Sequence, residues 1–240
     1  SMCYVLLTAL LPEWSHIGPG LVAAFFVLLW IHLFARITNT QSPARAIFDF
    51  GIATGVAVML YPPAAMLILA GLIAILILRS FRLNEICIYL AGVILPAYFL
   101  GSILFLNDRL PWMRNLIPAL HFHLAMPADK LTVIAAFILL SLCTLMGFVS
   151  MQNHTGKLVI SARKLWIIIL VALVFSTPFI LFSVMGNWVP ALIIVVLFCS
   201  ALCSNLFYYS RNILLISLLF WLMLLAGLFT SFGVVALFKK

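Results

Sequence analysis

Acidic side chains are nearly missing from this chain. Among 240 residues there are five: Glu13, Asp49, Glu85, Asp108 and Asp129. None falls at the centre of an apolar span. Ionisable groups inside a bilayer are costly and mark ion and proton pathways, so this scarcity argues against a carrier working through buried carboxylates. Charge of either sign makes up only 8% of the residues, which leaves no charged shell for a soluble domain of this size. No loop is long enough to fold separately, so residues 1–240 are expected to form one integral membrane domain. The five cysteines, Cys3, Cys87, Cys143, Cys199 and Cys203, contain no C-x-x-C pair. They read as small hydrophobes and not as ligands or disulfides. No basic n-region or small-residue cleavage site accompanies the opening apolar run, so it is not a signal peptide. A transporter finds support only in Pro96 and Pro178, because no repeat with matching breaks occurs in two halves.

What is present is hydrocarbon. Two thirds of the chain, 67%, is hydrophobic, in runs of about twenty residues, the length a helix needs to cross a core roughly 30 Å thick. The expected fold is all-α: a polytopic transmembrane helical bundle of about eight spanning helices plus a truncated N-terminal one. The truncated helix is residues 2–11, the outer half of a span whose start is expected upstream. The full spans are expected at 20–37, 46–60, 64–78, 86–106, 131–151, 165–185, 189–208 and 212–238. Pro62 and Pro63 each lack a backbone donor and disfavour helix in the residue before them, so a helix must stop there. Gly186-Asn187 reads as a tight turn. Pro96, Pro178 and Pro190 should kink their helices or sit in first turns.

The formal charge of +8 would suggest nucleic acid in a soluble protein. Here the Lys and Arg residues lie between spans and set orientation, so no nucleic-acid partner is expected. One side carries Arg36, Arg45, Arg79, Arg82, Lys157, Arg163, Lys164 and Arg211. The other carries Arg109, Arg114, Lys130, Lys239 and Lys240. The first side is therefore expected to be cytoplasmic. The Tyr-Pro-Pro turn and the long stretch 107–130 then lie outside, the latter lying in the interface with Trp112 and Phe122.

Candidate site residues gather on that outer side. Glu13 follows Pro12 in a short loop beside Trp14 and His16. It is ordinarily a solvated loop acid, and its functional readings are a general base or a metal ligand. Arg109 and Arg114 would hold a lipid phosphate through paired donors, or are plain juxtamembrane arginines. His121 and His123 flank Phe122, but H-x-H without further ligands is weak metal evidence. Tyr61 completes the set. No metal or cofactor is expected. Asp49 stands four residues after Arg45, the spacing of an interfacial ion pair. Glu85 beside Arg82 opens a helix, where a carboxylate favours the positive end of the dipole. Gly51 and Gly55 form G-x-x-x-G, a signal for close helix packing.

The stretch F-D-F-G-I-A-T-G-V-A-V-M-L-Y-P-P, followed by R-S-F-R-L-N-E-I-C-I-Y-L-A-G-V-I-L-P-A-Y, resembles an uncharacterised polytopic inner-membrane family of the Bacteroidetes, a domain of unknown function. Phe48, Gly51, Gly55, Tyr61 and Pro63 match its first motif, and Arg79, Arg82, Glu85, Gly92, Pro96 and Tyr98 its second. Ile86 stands where the family has tryptophan. The resemblance implies a multi-pass protein of the bacterial inner membrane, in cell-envelope biogenesis, acting as a membrane subunit or scaffold among lipids and other integral membrane proteins. The helix rhythm is similar, more distantly, to GT-C-type membrane glycosyltransferases, which use polyprenyl-phosphate-linked sugars at the extracytoplasmic face. That alternative would make Glu13 the base and Arg109 or Arg114 the phosphate clamp. Whether the chain is an enzyme stays open between the two.

Overall fold

A computed structural model describes residues 2–10, 18–39, 43–78, 82–108, 130–177, 192–209 and 213–231. Among them are nine α-helices and no strand: α1 (Met2–Thr8), α2 (Pro19–Asn39), α3 (Ala44–Leu60), α4 (Met66–Leu78), α5 (Leu83–Leu106), α6 (Lys130–His154), α7 (Ile160–Ser176), α8 (Ile193–Tyr209) and α9 (Ile213–Ser231). The all-helical expectation holds. Against about eight expected spans, three described helices are long and apolar enough to cross a membrane: Pro19–Thr38, Leu83–Leu106 and Ala135–His154. The apolar helices Met66–Leu78 and Ile193–Tyr209 are shorter than that. As expected, Pro62 and Pro63 divide a long apolar run into α3, a 3-10 turn over Pro62–Ala65, and α4. The expected turn at Gly186-Asn187, and Pro178 and Pro190, lie outside the described residues.

The helices fall into two compact units that are discontinuous in sequence. One contains α2, α3, α4, α5 and α7, with α3 packed between α2 and α5 and α4 packed on α7. Being covered on two sides, α3 buries Ala46, Ile47, Phe50, Gly51, Ala53, Thr54, Gly55 and Ala57. Small residues dominate that set, and the reason is the crossing with α5. A Cβ placed on Gly51 would run into the Tyr89 carbonyl oxygen and lie 3.1 Å from the Gly92 Cα. A Cβ on Gly92 would meet the Phe48 carbonyl and the Gly51 Cα. Gly55 sits against Val93 and Pro96 in the same way. The G-x-x-x-G signal is thus met by a third glycine on the partner helix. α5 runs unbroken through Pro96. It stops where the Asn107 side chain bonds back to the Ile103 carbonyl at 2.8 Å and Asp108 turns left-handed at φ 51°, a conformation a short polar residue tolerates.

Aromatic side chains fill the space between these helices. The ring of Phe50 lies 4.8 Å from Trp30, 5.9 Å from Phe34 and 5.4 Å from Tyr89, centroid to centroid, separations at which aromatic pairs add to plain burial. The Tyr89 hydroxyl donates towards the Ile68 carbonyl at 3.2 Å and lies 3.4 Å from Thr54 Oγ1, so a phenol from α5 ties α4 to α3. Gly71 leaves the room it needs, because a Cβ there would collide with that hydroxyl. At the far end of α4 the Lys164 ammonium reaches the Leu78 carbonyl at 3.4 Å, placing a cation at the negative end of the helix.

The other unit contains α1, α6, α9 and α8 from Val195 onward. Gly147 lets α6 approach the α8 backbone at Leu202. Gly227 of α9 faces Ala9, whose Cβ is 3.2 Å from where a side chain would start. Cys3, Cys143, Cys199 and Cys203 are all buried here, and all are free thiols, as their reading as small hydrophobes implies.

Candidate functional site at the ends of α6 and α8

Of the seven residues singled out in the sequence, Tyr61 alone falls among the described residues. Glu13, His16, Arg109, Arg114, His121 and His123 lie outside them. Tyr61 ends α3 with φ −143° and ψ 96°, the extended conformation imposed on a residue before proline. Its N–H donates to the Ala57 carbonyl at 3.0 Å and its own carbonyl accepts from Ala64 at 2.8 Å, which fixes the turn. Burial pushes its phenol above the ordinary value, so the ring is a neutral hydroxyl packed in a turn.

The other polar residues read from sequence divide. Glu85 sits in the first turn of α5, buried, 4.0 Å from Arg82, as expected. The expected Arg45–Asp49 pair does not come within 4.0 Å. An exposed pair gains at most about 1 kcal/mol and loses side-chain entropy on forming, so spacing alone does not secure it. Among the described residues no group of three His, Cys, Asp or Glu side chains is placed to hold a metal ion.

A constellation that sequence reasoning passed over stands at the ends of α6 and α8. His154 is the last residue of α6 and Tyr209 the last of α8. Their rings stack with centroids 4.5 Å apart and planes 21° apart. The His154 Nδ1 lies 2.9 Å from the Ser150 carbonyl oxygen. A carbonyl only accepts, so Nδ1 carries a proton and Nε2 is the ring nitrogen left to meet another group. The stack and the hydrogen bond together hold the imidazole in one orientation. The two residues help line a groove of about 580 Å³, with Leu145, Met146, Val149, Ser150, Asn153 and Leu206, a volume within the roughly 300–1,000 Å³ usual for ligand sites. Its wall is graded. Leu145, Met146, Val149 and Leu206 are apolar, while Ser150, Asn153, His154 and Tyr209 supply polar atoms at the helix ends. No hydrogen bond to another described residue engages the Asn153 amide or the Tyr209 hydroxyl. Nearby on α8, the Asn205 Nδ2 is buried without a hydrogen-bond partner. The available signal was a histidine and a Tyr208-Tyr209 pair at two apolar span ends on the same side. Only packing of α6 against α8 brings them together.

These features define a class: an all-helical protein, three of whose described helices are long and apolar enough to cross a membrane, with glycine-mediated helix crossings. The chain belongs to the family of unknown function DUF6427, whose profile matches residues 2–237. The match bears out membership of a family of unknown function. Gly51, Gly55, Gly92 and Pro96, four of the residues that carried the resemblance in the sequence, meet at the α3–α5 crossing. No curated protein and no solved structure matches the chain.

Proposed function

We propose that the chain is a multi-pass integral protein of the bacterial inner membrane that serves the cell envelope as a non-catalytic subunit or scaffold. The observation that carries this reading is the outward face of α5. Ile94, Tyr98, Phe99, Ile103, Phe105 and Leu106 are each more than half exposed along a helix of 24 residues. Apolar side chains in such a row need lipid or an apolar partner as solvent. The small-residue crossings support the scaffold role, because they pack the helices closely, backbone against backbone. No observation favours the transferase alternative, whose residues Glu13, Arg109 and Arg114 lie outside the described ones.

The test is fractionation followed by purification of the full chain. The protein should stay with inner-membrane vesicles through alkaline carbonate washing, and in mild detergent should retain an integral membrane protein at fixed stoichiometry. Release by carbonate refutes the membrane reading. A solitary species with no retained partner refutes the subunit reading.

A further inference from the structure

We propose that the groove between α6 and α8 binds a phospholipid whose headgroup is an anionic phosphodiester bearing hydroxyls, as in a phosphatidylglycerol. This rests on the membrane reading above and adds a ligand to it. The apolar stretch of wall, Leu145, Met146, Val149 and Leu206, takes an acyl chain. Leu145 and Val149 are 65% and 57% exposed, so that stretch opens sideways to where lipid would stand. The polar stretch sits at His154, where the apolar span Ala135–His154 ends, the depth at which hydrocarbon gives way to headgroups.

The hydrogen-bonding complement selects the headgroup. With Nδ1 committed to the Ser150 carbonyl, Nε2 is the ring nitrogen left for the ligand, and a headgroup hydroxyl, which both donates and accepts, suits it. The Asn153 amide and the Tyr209 hydroxyl are donors not engaged by other described residues, and they suit phosphate oxygens. A choline headgroup has no hydroxyl to meet Nε2 and carries a compensating positive charge. The chain's own charge points the same way. By sequence, eight of the thirteen Lys and Arg residues, Lys157 and Arg211 among them, belong to the side on which α6 ends. Basic residues on one face of a membrane attract anionic lipid.

The experiment uses the full chain in detergent with a photoreactive phosphatidylglycerol carrying a diazirine in its acyl chain, and the matching phosphatidylcholine. Expected is labelling of the peptide containing Leu145–Val149, at least fivefold stronger for the glycerol lipid. Unlabelled phosphatidylglycerol should compete, and neither phosphatidylcholine nor inorganic phosphate should. Leu206→Trp, which fills the groove floor, and the pair His154→Ala with Asn153→Leu should each cut labelling at least fivefold. Ile103→Trp, on the exposed face of α5, should leave it unchanged. Equal labelling by both lipids overturns the proposal, as does labelling indifferent to the groove variants. Crosslinks from the groove to a co-purified protein in place of lipid also overturn it. The competition on unmodified protein decides the matter if a variant does not fold. A chain that survives carbonate washing but shows no selective labelling defeats the lipid site alone. A chain released by carbonate defeats the membrane reading itself.

Discussion

The crossing of α3 and α5 gives the sharpest quantitative expectation. Replacing Gly51 with alanine adds one methyl group, and the three atoms it meets, the Tyr89 carbonyl oxygen, the Gly92 Cα and the Val93 nitrogen, all belong to the α5 backbone. None can rotate aside, so the helices must separate. Overpacking of this kind costs about 1–3 kcal/mol. Alanine returns up to about 1 kcal/mol of helix propensity, which leaves a net loss between about 0 and 3 kcal/mol, with a fall in melting temperature of about 2–4 °C for each kcal/mol lost in a chain of this size. Separation also lengthens the Phe50–Tyr89 contact, now 5.4 Å. Gly156 is the control, because a Cβ there meets nothing within 4 Å, and Gly156→Ala should stay within about 0.5 kcal/mol of the parent. Thermal unfolding in detergent, followed by aromatic fluorescence, measures both. Gly92→Ala relieves or damages the same contact from the other side. The Gly51→Ala, Gly92→Ala double variant should therefore lose less than the two single losses combined. If Gly51→Ala melts with Gly156→Ala, the backbone contact of α3 and α5 does not exist as described.

Three further outcomes follow from named contacts. Tyr89→Phe removes the hydroxyl 3.2 Å from the Ile68 carbonyl and should cost about 0.5–1.5 kcal/mol in chemical unfolding. Gly71→Ala, whose new methyl strikes that hydroxyl, should be more damaging, and Tyr89→Phe should partly rescue it. Additive losses would show that the two residues do not meet. A membrane-permeant maleimide should modify Cys87 first, as it is exposed, while Cys3, Cys143, Cys199 and Cys203 are buried and should react only as the protein unfolds. Mass spectrometry of the labelled peptides reports the order. Glu85→Gln should change stability by no more than a conservative buried substitution does if the 4.0 Å approach of Arg82 is an ordinary interfacial pair, and the same unfolding assay reads it.

The helical class was legible because apolar runs and proline breaks act locally. Pro62 and Pro63 stop α3 wherever the rest of the chain goes. The close approach at Gly51 and Gly55 was legible for a similar reason, since small residues at i and i+4 leave a flat face whatever lies against it. What lies against it was not. Gly92 stood in the sequence only as a family motif residue, and Tyr89 was one aromatic among many until α4 and α3 supplied its partners. The groove at His154 was hidden more completely. Histidine and tyrosine at span ends are ordinary interfacial residues, and their stacking is a property of two helices about fifty residues apart in sequence. The Arg45–Asp49 pair fails the other way, because spacing permits a contact whose free energy is too small to enforce it.

The two discontinuous units also constrain biosynthesis. The segment α2 to α5 is contiguous in sequence, and once the ribosome has made it, the Phe50–Tyr89 core has most of its helices at hand. α1 precedes α2 to α8 in the sequence, yet its packing partner α9 follows them, with Ala9 facing Gly227. Throughout the synthesis of α2 to α8, α1 is therefore without this mate, its apolar surface in need of lipid or an insertase as cover. Premature termination anywhere before α9 would strand it there, a ready signal for membrane quality control.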